Sequence, residues 1–189
     1  MTVKIGINGF GRIGRAVLRA MINGQDTSFE VVHINDLASP QTLAHLLKYD
    51  SVHGTLDADI SVDDNVLSVN GKSITISACQ DPLELPWAQK NVHIVFECSG
   101  RFRKKEQCER HLQAGAKKVL ISAPASGEDR TVVYGVNHKD LRSEDKIVSN
   151  GSCTTNCLAP PTKVLDDHFS IVSGLVTTVH AYTNDQSVL

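Results

Sequence analysis

Apolar residues along this chain alternate between short β-branched runs and stretches in which they recur every three or four positions. Val3-Lys4-Ile5-Gly6-Ile7-Asn8 reads as a buried strand, and Ile13, Val17, Leu18, Met21 and Ile22 then mark one face of a helix. Phe29 to Ile34 is a second strand, ending at Asn35-Asp36. Ser39-Pro40 is an N-cap and first helical residue, with Leu43, Leu46 and Leu47 on the buried face of a short helix. Tyr49 to Gly54 reads as a loop, with His53 a surface or packing residue, and Ile60 to Ser77 alternates around Asn70-Gly71 as a hairpin. Pro82 to Trp87 is a turn leading into a short helix, with Trp87 as a core anchor. A strand at Val92–Cys98, a helix from Lys104 to Gln113 stopped by Gly115, and a strand at Lys117–Ser122 follow. Short strands at Val132–Val136 and Lys146–Val148, a helix through about Asp167 and a long strand at Ile171–His180 complete the pattern. Strands alternating with helices predict an α/β fold with a doubly wound, mainly parallel sheet.

Between the first strand and its helix lies Gly9-Phe10-Gly11-Arg12-Ile13-Gly14, and Asp36 stands 22 residues after the third glycine. Each part has a mechanical role in a Rossmann-type dinucleotide site. Gly9 permits the tight turn, Gly11 lets backbone approach a pyrophosphate, Gly14 lets helix and strand pack, and the helix N-terminus offers N–H donors. Asp36 can accept from the adenosine ribose hydroxyls and would repel a 2′-phosphate, which favours NAD over NADP. Ser99-Gly100 follows a strand at the end where open α/β sheets bind ligands. In a parallel sheet the strands' C-terminal loops share one edge, so Gly9–Gly14, Asp36, Ser99, Ser122 and Cys153 are expected to converge on one cleft.

Composition narrows the function classes. The 189 residues are 41% hydrophobic and 21% charged with a net charge of −2, which gives no basic footprint for nucleic acid or an anionic membrane. The run Arg101-Phe102-Arg103-Lys104-Lys105 reads as a solvated helix start. No stretch has the apolar length of a membrane span, and the N-terminus opens directly into a strand without a signal peptide. Five cysteines, with no secretory signal and no CxxC pair, point to reduced thiols in a cytoplasmic setting. Cys153 and Cys157 share a helical face, but two thiols make no metal site, and no metal is expected.

The strongest chemical signal is Ser149-Asn150-Gly151-Ser152-Cys153-Thr154-Thr155-Asn156-Cys157, a polar run between a strand and an apolar-periodic stretch. It puts Cys153 in the first turn of a helix, where unpaired N–H groups and the helix dipole favour a thiolate. His180, 27 residues on, is the natural base to pair with it.

Asn8-Gly9-Phe10-Gly11-Arg12-Ile13-Gly14-Arg15, Ser152-Cys153-Thr154-Thr155-Asn156-Cys157 and His180-Ala181-Tyr182-Thr183-Asn184-Asp185-Gln186 together resemble phosphorylating glyceraldehyde-3-phosphate dehydrogenases. The resemblance implies a Cys153 hemithioacetal with glyceraldehyde 3-phosphate, proton removal by His180 as hydride passes to NAD, and phosphorolysis of the thioester to 1,3-bisphosphoglycerate, the glycolytic step. It implies cofactor contacts from Gly9, Phe10, Gly11, Arg12, Ile13, Gly14, Asp36, Gln80, Ser99, Gly100 and Ser122. It assigns Ser152 and Thr154 to the inorganic-phosphate site, and Thr183 and Asp185 to the site for the substrate's own phosphate. Residues 1–152 would be the NAD-binding domain, and 153–189 the start of an incomplete α+β catalytic domain. The family assembles as a homotetramer, whereas this chain reads as a piece of a longer protein, expected to expose an apolar groove and to lack turnover alone.

Several positions depart from the family's commonest pattern. Gly151 replaces the usual alanine, Gln80 an arginine near the adenosine, and Arg101 an apolar residue near the cofactor. Tyr134 is similar to the sister family acting on erythrose 4-phosphate, which supplies the alternative reading; an NAD-binding fragment without turnover and a redox-sensing thiol protein are the others.

Overall fold

β1 (Val3–Asn8) lies at the centre of a nine-stranded sheet in the computed structural model, which describes residues 2–24 and 27–181. It leads to α1 (Arg12–Gly24), β2 (Phe29–Asn35), α2 (Pro40–Lys48) and a small hairpin of β3 (Tyr49–Asp50) and β4 (Gly54–Thr55). β5 (Ile60–Asp63), β6 (Val66–Val69) and β7 (Lys72–Ser77) form an antiparallel meander. Then come β8 (Ile94–Glu97), α3 (Lys105–Gln113), β9 (Lys118–Ile121), β10 (Arg130–Thr131), β11 (Ile147–Ser149) and α4 (Cys153–Phe169). The strand order is β10-β11-β9-β8-β1-β2-β7-β6-β5, parallel from β10 through β7, so the mainly parallel doubly wound sheet read from the sequence is present. The chain winds outward from β1 through β2 and β7, then returns to the opposite side of β1 at β8. That reversal opens a crevice between the C-terminal ends of β1 and β8.

Both faces of the central strands are buried, by different means. Ile5, Ile7, Ile34 and Ile76 pack with Leu18 of α1 and with Leu43 and Leu47 of α2. Ser39 caps α2, its hydroxyl accepting from the Thr42 amide at 3.3 Å, with Pro40 as first helical residue. Arg19, 6% exposed, donates to the carbonyls of Leu47 and Gly54, both at 2.7 Å, and so places a cation at the C-terminal end of α2. On the opposite face Trp87 is fully buried over β1, together with Leu85, Val92, Val95 and Ala116. Gly6 makes room for it: a β-carbon at Gly6 would meet the indole, with Cε3 at 2.9 Å.

The same face carries a row of buried polar side chains. Asn8 pairs in register with Asn35 on one side and Glu97 on the other, and Asn35 pairs with Ser77. His33 Nε2 lies 2.9 Å from Ser77 Oγ and its Nδ1 2.7 Å from Thr75 Oγ1. Ser77 Oγ donates to Asn35 Oδ1 at 2.7 Å, so His33 Nε2 carries the proton. Burial, reinforced by the charge of Lys90, pushes the His33 pKa down to about 4.

Several elements differ from the sequence reading. Residues 171–180 form no strand. Their backbone has no neighbouring strand among the described residues, and Val172, Leu175 and Val179 are almost wholly exposed. β-Branched composition alone does not hold a strand without a ladder partner. Expected strand 132–136 is a turn beyond the two-residue β10, and the Pro82–Glu84 segment is a single 3-10 turn rather than the lead into a helix. Leu46 is 38% exposed because the buried stripe of α2 passes through Leu43 and Leu47. The 49–54 loop is tied into β3 and β4, and Asp64-Asn65 adds a hairpin turn to the expected one at Asn70-Gly71. In that expected turn both residues have positive φ, 50° and 77°, as a type I′ turn requires.

Two stability predictions follow. Gly6→Ala places a methyl group against the immobile indole and should cost about 1–3 kcal/mol in urea unfolding. An unfolded histidine binds its proton near 6.5 while His33 binds only near 4, so the unfolded chain takes up more protons in that interval. Stability should therefore fall by about 3 kcal/mol as pH drops through it. His33→Gln, compared with the wild type in urea titrations across that range, should flatten this part of the pH dependence.

Candidate functional site

The crevice at the sheet reversal is a cavity of about 490 Å³ bounded by the loops after β1, β2, β7 and β8. Gly9, Gly11, Asp36, Gln80 and Ser99 of the expected cofactor residues line it, with Asn8, Asn35, Cys79, Cys98 and Arg101. Gly9 has φ of +90°, and a β-carbon there would stand 2.5 Å from the Ser99 amide nitrogen, so the two loops touch only because Gly9 lacks one. A β-carbon at Gly14 would strike the Gly9 carbonyl and come within 3.2 Å of Ile7 Cγ2, whereas the space over Gly11 is open. This is the cradle an approaching phosphate needs, beside the first turn of α1.

Asp36 Oδ2 accepts from the Phe10 amide at 2.7 Å and Oδ1 from the Ala38 amide at 2.9 Å. Each oxygen keeps a lone pair for a ligand hydroxyl. Phe10 itself is fully buried, so it offers this site its backbone rather than its ring. Arg12 Nη1 is 2.6 Å from Asp50 Oδ2. The His53 and Val52 amides, and then Arg12, hold the Asp50 carboxyl far below the usual carboxylate range. Ile13 is 47% exposed on the solvent side of α1. Gly100 has positive φ in the Ser99–Arg101 turn, where the Arg101 amide donates to Ser99 Oγ at 3.1 Å. Ser122 lies one strand further along, its amide donating to the Glu97 carbonyl at 3.0 Å and its hydroxyl meeting the Cys98 thiol.

β11 delivers the thiol to the same edge of the sheet. Ser149 is fully buried, and its hydroxyl donates to the Ala123 carbonyl at 2.7 Å and accepts from the Gly151 amide at 2.9 Å. Gly151 then turns with φ of +71°, which is the structural use of a glycine before the Ser-Cys pair. Ser152 is the N-cap of α4, its Oγ accepting from the Thr155 amide at 2.9 Å, so Cys153 occupies the first helical position.

Cys153 Sγ lies 3.4 Å from His180 Nε2. Nδ1 of His180 is bonded to the carbonyl of Ala181, so Nδ1 carries a proton and Nε2 faces the sulfur. The His180 contact first, and the Thr154 hydroxyl second, lower the Cys153 pKa; the Ala181 carbonyl first, and then Cys153, raise that of His180. The half-buried Cys98 and the buried Cys108 contrast with this thiol. Burial pushes Cys98 up to about 11 and Cys108 up to about 12. An exposed thiol biased toward the thiolate, beside an imidazole biased toward its cation, is an arrangement in which the sulfur can attack an electrophile and the ring can carry a proton.

Cys153 does not share the Gly9 cavity, which corrects the expectation of a single cleft. It lines a separate cavity of about 520 Å³ with Thr154, Cys157, Pro161 and His180, while Ser152 and Thr154 also line one of about 690 Å³ with Thr162 and Lys163. The cause is the strand order. β11 stands three strands from β1, roughly 15 Å along the sheet edge. Thr183 and Asp185 lie outside the described residues. Asn35, Glu97 and His111 carry no motif, and neither they nor Asn8 of the glycine motif are given a role by the sequence reading.

The glyceraldehyde 3-phosphate dehydrogenase NAD binding domain model matches residues 3–105, and the C-terminal domain model of the same enzyme matches residues 152–189. The chain belongs to the glyceraldehyde 3-phosphate dehydrogenase family. It is 58% identical over 190 residues to glyceraldehyde-3-phosphate dehydrogenase of Geobacillus stearothermophilus, covering 100% of this chain and 56% of that one. It is 58% identical over 191 residues to glyceraldehyde-3-phosphate dehydrogenase 1 of Bacillus subtilis (strain 168), again covering 100% of this chain and 56% of the relative. The enzyme from Zymomonas mobilis subsp. mobilis is 55% identical over 190 residues with the same coverage. The chain therefore spans about half the length of the curated relatives it matches. NAD is the family's cofactor, and the residues present fit it: a cradle at Gly9 and Gly11 that a β-carbon would fill, and an Asp36 carboxylate with lone pairs to spare.

Alkylation of Cys153 by iodoacetamide, followed peptide by peptide in mass spectrometry, should rise with pH through a midpoint below the ordinary thiol range. His180→Asn should move that midpoint upward. An unchanged midpoint in the variant would refute the pairing.

Proposed function

We propose that this chain carries the NAD site and the nucleophile–base pair of an NAD-dependent phosphorylating glyceraldehyde-3-phosphate dehydrogenase, divided as residues 1–152 for the cofactor and 153–189 for the start of the catalytic domain. The observation that carries the reading is the 3.4 Å contact between Cys153 Sγ and His180 Nε2 at the first turn of α4, on the sheet edge that also bears the Gly9 crevice. Cys153 adds as thiolate to the aldehyde carbon of glyceraldehyde 3-phosphate, forming a C–S bond as the carbonyl π pair takes up the His180 imidazolium proton to become a hydroxyl. His180 then removes that hydroxyl proton as the carbon's hydrogen departs with its electron pair, and the carbon becomes a thioester. Bound NAD supplies the hydride acceptor. A phosphate oxygen attacks the thioester carbon, the C–S bond breaks, and 1,3-bisphosphoglycerate leaves Cys153 as thiolate. Ser152 and Thr154 stand next to the sulfur in sequence and line the neighbouring cavity, which supports placing inorganic phosphate there. Thr183 and Asp185 are assigned to the substrate phosphate from the family resemblance.

The test compares the 189-residue chain with a chimera that adds the remaining C-terminal part of the Geobacillus stearothermophilus relative. NADH formation is followed with glyceraldehyde 3-phosphate and phosphate, and with erythrose 4-phosphate as competitor. The chimera should turn over the three-carbon substrate in preference, and the chain alone should be slower by a hundredfold or more, since a site lacking part of its positioning groups loses at least that. Cys153→Ser should abolish turnover in the chimera. Equal turnover of both substrates, or activity surviving in Cys153→Ser, would overturn the assignment.

A further inference from the structure

Beneath the crevice Glu97 is 1% exposed and its carboxylate accepts from four donors. Oε2 takes Asn8 Nδ2 at 2.6 Å and His111 Nε2 at 3.0 Å, while Oε1 takes the Ser99 amide at 2.9 Å and the Ser99 hydroxyl. His111 comes from α3, is fully buried, and receives the Trp87 indole N–H on Nδ1 at 3.0 Å. An indole only donates, so Nδ1 of His111 bears no proton and the proton sits on Nε2, directed at Glu97. Two of the four bonds hold the turn that faces Gly9, where the Ser99 amide nitrogen stands 2.5 Å from the place a Gly9 β-carbon would take. On the other side Asn8 Oδ1 accepts from Asn35 Nδ2 at 2.8 Å, and Asn35 clamps the Cys79 amide and carbonyl, each at 2.9 Å, beside Gln80.

We propose that His111 and Glu97 are positioning residues of the dinucleotide site: they hold the Ser99 turn against Gly9, so that the crevice stands at its binding width before the cofactor arrives. This rests on NAD being the occupant of that crevice. Neither side chain lines the cavity, and both act through Ser99. Losing the His111 donor leaves Glu97 Oε2 short of a partner in a dry site, and the cheapest relief is a shift of the carboxylate that carries Ser99 with it.

NAD affinity is measured by calorimetry on the wild type, His111→Leu and His111→Gln, with urea unfolding in parallel. Glutamine can accept from Trp87 and donate to Glu97; leucine can do neither. His111→Leu should bind NAD roughly ten- to a hundredfold more weakly, the loss that an unsatisfied buried acceptor produces, and His111→Gln should recover to within about threefold. Amide exchange in the ligand-free wild type adds a readout that needs no variant: the Ser99 N–H should already be protected. Wild-type affinity in a folded His111→Leu, or a Ser99 amide exchanging at an open-loop rate, would overturn the proposal while leaving the cofactor assignment standing. Absence of NAD binding by the wild type would instead overturn that assignment and the proposal with it.

Discussion

Two chains of hydrogen bonds in the polar row under the crevice end on one carboxylate. Thr75 to His33, His33 to Ser77, Ser77 to Asn35, Asn35 to Asn8 and Asn8 to Glu97 run in from one side, and Trp87 to His111 to Glu97 from the other. A carboxylate accepts and cannot donate, so its presence sets the amide orientation of Asn8, then that of Asn35, and the tautomers of both histidines. Chains of this kind polarise their members in sequence and are costly to leave incomplete. The loops that bound the crevice are those whose backbone or neighbouring side chains close the chain: Ser99 after β8, Cys79 after β7, and Gly9, whose amide donates to the Asn35 carbonyl at 2.8 Å. The geometry of the cleft is inherited from a row in which Asn8 and Asn35 line the cavity while Glu97 and His111 stand behind it.

That row explains what could and could not be read from the chain. The glycine turn, the Ser39 cap, the Asn70-Gly71 hairpin and Cys153 in the first turn of a helix all depend on residues within a few positions of one another, and all were legible. Asn8, Asn35 and Glu97 sit at the ends of runs that read as continuous buried strand. When both faces of a strand are covered, period-two alternation no longer separates a polar buried position from an apolar one. His111 was hidden for a different reason: it lies on an amphipathic helix whose buried stripe gives no sign that one member must be polar. The strand expected at 171–180 failed because a β-branched run states a preference, whereas a strand is a pairing, and the pairing partner is not contained in the run.

The contrast among the thiols turns on position rather than residue type. Cys98 and Cys108 are raised because burial penalises the thiolate, and the carboxylate of Glu97 lies close enough to raise them further. At Cys153 the His180 and Thr154 contacts outweigh the burial effect. It follows β11, two strands from the β8 of Glu97, exposed, at the positive end of α4, with an imidazole against its sulfur. Strand order thus keeps an anion beneath the crevice and the exposed thiol away from it.

The apolar core and the polar row meet at a single group. Gly6 clears the space in which Trp87 lies over β1, and Trp87 in turn donates the N–H that makes Nδ1 of His111 an acceptor. A phenylalanine could fill much of the same space, but it would leave the buried Nδ1 of His111 without a donor. The core anchor is therefore constrained by the hydrogen bonding of a histidine as well as by volume, which is a physical reason for an indole, rather than any aromatic ring, to sit there.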